Sequence, residues 1–142
     1  MRLTILAALV LSASQANADQ CDVAAARIAA QAGGSVRTRI GPAIKMQHPE
    51  AANFSVDCKG ATISRVSGSK DDPGSIAGFA QLIARTSSLA LGAAEDQAAG
   101  VMLSCVRVAS RAAGTLAEAS ASGLTVECFV RGNYVALDVT RR

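Results

Sequence analysis

Aromatic residues are nearly absent from this 142-residue chain: there is no tryptophan, one tyrosine and three phenylalanines. Its core must therefore be filled by Ala, Val, Ile and Leu, and so few rings cannot build a base-stacking platform for single-stranded nucleic acid. Charge of one sign is lacking too. Fourteen basic and eleven acidic side chains leave a formal charge of +3, without the concentrated basic surface that nucleic acid demands, so nucleic acid is not an expected partner. Histidine occurs once, at His48. Neither the hydrolase pattern G-x-S-x-G nor the phosphate loop G-x-x-x-x-G-K-[ST] is present. No hydrophobic run approaches the roughly 20 residues that cross a bilayer, because Arg, Asp, Glu or Gly interrupts each one, and no membrane span is expected.

What is present begins with an address. Arg2 supplies a positive start, Leu3 to Leu11 a short apolar segment, and Ala16-Asn17-Ala18 a small-x-small cleavage pattern. Residues 1–18 read as a Sec-type signal peptide cleaved after Ala18, which predicts a mature chain from Asp19 that is periplasmic or secreted. Loss of Arg2 lowers the formal charge from +3 to +2. A lipid-anchored cysteine is not expected, since Ala18-Asp19-Gln20 precedes Cys21 where small uncharged residues are needed. The preference for Ala, Gly and Arg over Lys resembles the codon usage of a GC-rich bacterial genome. In that setting the acceptor pattern Asn53-Phe54-Ser55 is idle.

Four cysteines follow the signal, and four allow three pairings. Phe54-Ser55-Val56-Asp57-Cys58 and Leu124-Thr125-Val126-Glu127-Cys128 share one grammar of large apolar, hydroxyl, Val, acid and Cys. Each is followed by a glycine turn and a second β-rich run, and each is preceded by an Ala-rich helical run carrying Cys21 or Cys105. The pattern reads as a degenerate duplication of a helix-plus-hairpin unit, residues 21–67 and 95–140, within one domain, 19–142. If each copy is stapled to itself, the disulfides are Cys21–Cys58 and Cys105–Cys128.

Along the chain, the alanines of Cys21 to Gly33 predict a helix with Asp22 in its first turn and a stop at Gly33-Gly34. Ser35 to Ile40 alternates, with Val36, Thr38 and Ile40 on one face and Arg37 and Arg39 on the other. Ala43 to Gln47 reads as an edge strand, and His48 to Asn53 as a loop. Phe54 to Lys59 and Ala61 to Val66 form the first hairpin, and Ser67 to Ser75 reads as turn. Ile76 to Leu91 is an amphipathic helix capped by Ser75 and ended by Gly92, with Ile76, Phe79, Leu82, Ile83 and Ala90 near one stripe. Glu95 to about Ala113 is a second, predicted to be the central helix. Thr115 to Gly123 reads as loop or frayed turn. A closing hairpin turns at Gly132-Asn133, with Phe129 and Tyr134 paired on its less buried face. The fold class is thus α+β: an antiparallel sheet with helices packed on one face. The element order loosely resembles the helix-and-sheet architecture of bacterial secretion chaperones, a likeness of architecture that implies no function.

Candidate functional residues are few. The cysteines lack C-x-x-C, haem-attachment and zinc spacings, so they are disulfides rather than ligands or nucleophiles. Met46 and His48 form a Met-x-His that could hold a soft copper ion, and His48 with Glu50 could act as an acid–base pair; otherwise His48 is a loop residue. No cofactor is expected. Arg37, Arg39 and Lys45 are the densest basic cluster, on the outer face of the early strands, where they would either receive an acidic partner or discourage edge-to-edge association. Asp71-Asp72-Pro73-Gly74-Ser75 lacks the spacing of a calcium loop. The preferred functional reading is a small exported binding protein without catalysis, acting on an envelope or secreted protein through Arg37, Arg39, Lys45, Phe129 and Tyr134. The alternative is a small periplasmic enzyme or metal-handling protein centred on Met46 to Glu50, which requires His48 to converge with groups such as Asp57, Asp71 or Glu127.

Overall fold

A computed structural model describes residues 11–72 and 75–142, with side chains from Gln20 onward. The apolar segment of the signal reading and the Pro73-Gly74 breaker thus lie wholly or largely outside the described residues. The elements are α1 (Leu11–Ala32), β1 (Ser35–Ile40), β2 (Ala43–His48), β3 (Ala51–Lys59), β4 (Thr62–Lys70), α2 (Ile76–Leu91), α3 (Glu95–Arg111), β5 (Leu116–Ala121), β6 (Leu124–Arg131) and β7 (Tyr134–Arg141). The seven strands among the described residues join one antiparallel sheet, in the order β1-β2-β3-β4-β7-β6-β5. The three helices pack side by side on one face of it, making the fold α+β.

Both disulfides connect a helix to a strand on that covered face. Cys21 in α1 is bonded to Cys58 in β3, and Cys105 in α3 to Cys128 in β6. The two matched motifs hold matched places in the register. One row of opposed residues runs Arg39–Ile44–Val56–Val66–Val139–Val126–Ala119 across the whole sheet. The valines of the two motifs, Val56 and Val126, lie equally far from the central β4–β7 seam, with Val66 and Val139 meeting at it.

The core lies between that row and the helices. Phe54 and Phe79 are its only fully buried rings among the described residues, and Val, Ile, Leu, Met, Ala and the disulfides fill the rest. The helix α2 sits between α1 and α3, so the central helix is α2 and not the one beginning at Glu95. Its boundaries follow from local chemistry: the Ser75 side chain accepts a hydrogen bond from the Gly78 N–H, and Gly92 closes the last turn at φ +73° while its N–H reaches the Ser88 carbonyl. A side chain would strain that left-handed φ, which glycine adopts freely.

Several segments differ from the sequence expectation, each for a packing reason. Ser67 to Lys70 continue β4 rather than forming a turn. Gly68 lies directly beneath α2, where an added Cβ would approach Ile83 Cδ1 to 2.6 Å and Phe79 Cε2 to 3.1 Å, so the glycine that resembles a turn signal is the residue close helix–sheet contact requires. Leu116 to Ala121 form edge strand β5, not a loop; its Ala117 and Ala119 pack beneath α3 opposite Cys128 and Val126. Ala43 to His48 form an interior strand, flanked by β1 and β3. His48 to Asn53 are not a loop, because Pro49 and Glu50 alone make the turn between strands. The first helix is already formed at Leu11, the first described residue, and does not begin at Cys21, which puts Asp22 in mid-helix.

Candidate functional site

Among the described residues the face of the sheet opposite the helices carries no other element, and a groove of about 360 Å³ crosses it. Strand alternation places its lining residues. Because Phe54 and Val56 turn to the helices, Ser55 turns outward, and the same logic turns out Lys45, Asn53, Ser67, Ser69, Ala136, Asp138, Glu127 and Phe129. Along the groove a run of small groups on the middle strands keeps the floor low: Ser55, Ser67, Ser69 and Ala136. Longer side chains stand on either side, Lys45 and Asn53 toward β2 and β3, and Glu127, Phe129, Tyr134 and Leu116 toward β5 to β7. Ser55 and Ser69 are buried even though no helix covers them, which shows how far those walls enclose the floor.

Two polar contacts fix the walls. Asn53 Nδ2 donates to the Ser69 hydroxyl at 3.1 Å, and Arg65 grips Asp138 through both Nε and Nη2. The guanidinium pKa of Arg65 is raised, chiefly by that hydrogen bond; partial burial opposes the shift, and the charges of Asp138, Asp57 and Glu127 add to it. A raised arginine stays protonated throughout the range in which proteins are handled, so the guanidinium's own ionisation adds no pH dependence there. The rings of Phe129 and Tyr134 stand edge to face with centroids 6.1 Å apart, a favoured aromatic geometry.

Of the five candidate binding residues, three line this groove: Lys45, Phe129 and Tyr134. The other two do not join them as one outer basic cluster. Register shifts at Arg37, so that Val36 opposes Met46 while Thr38 opposes Lys45. The bulge turns Arg39 to the helix side opposite Ile44, where its Nη1 donates to Asp22 Oδ1 of α1 at 2.7 Å. A one-residue bulge reverses the alternation beyond it, and no composition signal marked it. The serine floor and Leu116 were missed because Ser67 to Ser69 read as turn and Leu116 as loop.

The Met46–Glu50 residues separate. Met46 packs in the core at 4 % exposure. His48 borders a shallow recess with Gly33, Gly34, Ser35, Gln47 and Pro49, and its Nδ1 accepts a hydrogen bond from the Glu50 N–H at 3.1 Å. The Glu50 carboxylate turns instead toward Gly78 of α2 and Lys70, 3.9 Å from its Nζ. Asp57, Asp71 and Glu127 do not line the His48 recess. Among the described residues no three His, Cys, Asp or Glu side chains converge on a point where a metal ion could sit, and no helix is long and apolar enough to cross a membrane.

The fold and groove define a disulfide-stapled α+β domain with one covered and one open sheet face. Compared with known protein families, with curated proteins and with solved structures, the chain matches none.

Proposed function

We propose that the protein is a small exported binding protein, without catalytic activity of its own, that holds a protein partner against its uncovered sheet face. Inhibitors, immunity-type proteins and accessory subunits of envelope complexes work in this way. The observation that carries the reading is the groove itself, in which Lys45, Phe129 and Tyr134 surround a floor of small residues. Concave sites with a few polar groups and exposed aromatic anchors are where binding energy concentrates. Export is supported by the two disulfides, which persist in oxidising compartments, together with the pattern of residues 1–18. Cleavage after Ala18 would shorten α1 to a helix from Asp19 to Ala32, tied to the sheet by Cys21–Cys58, and would bring Asp22 into the first turn of the mature helix.

The test is capture of a partner from an envelope extract of the source organism by the mature protein. Native protein should retain one stoichiometric partner, the Phe129→Ala/Tyr134→Ala variant should lose it, and Arg37→Glu, which does not line the groove, should keep it. Equal capture by native protein and the double alanine variant would remove the groove as the binding surface. Intact-mass measurement of protein recovered from the periplasm or medium should show a chain starting at Asp19 with both disulfides formed.

A further inference from the structure

The carboxylates in the groove, Glu127 and Asp138, and Glu118 beside it are unevenly matched. Glu118, Glu127 and Asp138 stand directly opposite one another on β5, β6 and β7, an arrangement in which like charges repel. Arg65 binds Asp138, whereas no cation among the described residues forms an ion pair with Glu118 or Glu127. Beside Glu127 stand the two rings of the groove. Ala136 lies between Tyr134 and Asp138 on β7 and opposite Phe129 on β6, so its methyl group leaves a gap bordered by both rings and by the Glu127 side chain. Arg131 lies four residues from Glu127 along β6, about 13 Å at strand rise, with Phe129 between them. Independently of charge, the floor offers a polar group to a ligand: Ser55 is 7 % exposed and lines the groove, and its hydroxyl, which forms no hydrogen bond among the described residues, is open to the groove rather than sealed in the core.

We propose that the groove takes an extended segment of a partner protein bearing a lysine or arginine. The stem of that side chain lies over Ala136 against Phe129 and Tyr134, its cation meets Glu127 and Glu118, and the segment crosses toward Ser67 and Ser55. A basic side chain suits this corner because its stem is apolar, its head satisfies the unmatched carboxylates, and aromatic faces attract cations. Lys45 on the opposite wall gives the groove a polarity that disfavours a second cation there. This proposal rests on the binding reading above and names the partner's chemistry.

The probe is an acetylated, amidated pentapeptide Gly-Ser-Arg-Ser-Gly, titrated into the oxidised protein at low salt and followed by amide chemical shifts. Controls carry Glu or norleucine at the central position. The arginine peptide should give saturable shifts at Glu127, Phe129 and Ala136, with affinity about tenfold above either control, and Glu118→Gln/Glu127→Gln should remove about that factor. Both substituted positions are exposed, and an otherwise unchanged amide spectrum verifies that the variant folds. Equal binding of the norleucine or Glu peptide, or no localised shifts with the arginine peptide, overturns the cation site. Partner capture that survives Glu118→Gln/Glu127→Gln but fails in Phe129→Ala/Tyr134→Ala overturns it too, while leaving the groove itself as the binding surface.

Discussion

Lys70 shows at the level of one residue how a charge is tolerated inside this protein. Its side chain is 6 % exposed on the helix side of β4, with Nζ 2.9 Å from Asp72 and 3.9 Å from Glu50. The two carboxylates are about half exposed and keep much of their hydration, so the ammonium is the member that depends on the pair. Asp72→Ala should therefore cost about 1–3 kcal/mol by weakening the partnership of a buried charge. Lys70→Met should stay within about 1 kcal/mol of native, since a similar volume remains and no charge is stranded. Urea midpoints of the two variants at constant m-value decide the order. Gly68 is limited by space: Gly68→Ala pushes a methyl group into Ile83 and Phe79 and should destabilise by about 1–3 kcal/mol through overpacking.

The elements are not equally secured. The helix α2 buries Phe79, Leu82, Ile83 and Leu91 and is capped at both ends, whereas the described side chains of α1 bury only Cys21, Ala25, Ile28 and Ala29. Alanine burial yields little hydrophobic free energy, so α1 relies more on its covalent staple. On the chain-entropy account, closing loops with separations of 37 and 23 residues contributes about 3 to 4 kcal/mol each. Replacing Cys21 and Cys58 with alanine should raise amide exchange selectively in α1, which becomes free to open locally. Replacing Cys105 and Cys128 should lower protection throughout, because α3 and β6 lie within the main core. Exchange measured on both double variants distinguishes local from global loss.

At the scale of the whole molecule, a single sheet with helices on one side leaves two edges and one face to manage. Every residue of edge strand β1 is exposed, including Val36 and Ile40, a template on which another chain could pair. Its bulge and Arg37 oppose such pairing. Arg37→Val should therefore increase self-association, seen as concentration-dependent light scattering, with little change in unfolding midpoint. The open face has no comparable apolar character: its rows alternate Ser, Thr, Asp, Glu and Lys, with apolar groups gathered at Phe129, Tyr134 and Leu116. That distribution keeps the face compatible with water and confines its binding potential to one corner.

Features set by local chemistry or short-range pattern were legible in the sequence. Ser75 and Gly92 marked α2 because capping needs only neighbouring backbone. Alternation placed Val126, Cys128, Leu137 and Val139 inward because a strand's side chains have a period of two. The matched motifs selected the pairings Cys21–Cys58 and Cys105–Cys128 from three possibilities. Features that depend on neighbours distant in the chain emerge only when the chain is folded. Ser67 to Lys70 became a strand because β3 and β7 offered hydrogen bonds on both sides and α2 required a glycine beneath it. Leu116 to Ala121 became one because β6 presented a free edge. The bulge at Arg37 separated Arg39 from Lys45, and the lateral order of strands brought Lys45 onto the same groove as Phe129 and Tyr134, more than eighty residues later in the chain. Local propensity carries no record of which strands lie side by side, and on an open sheet face that lateral order assembles the site.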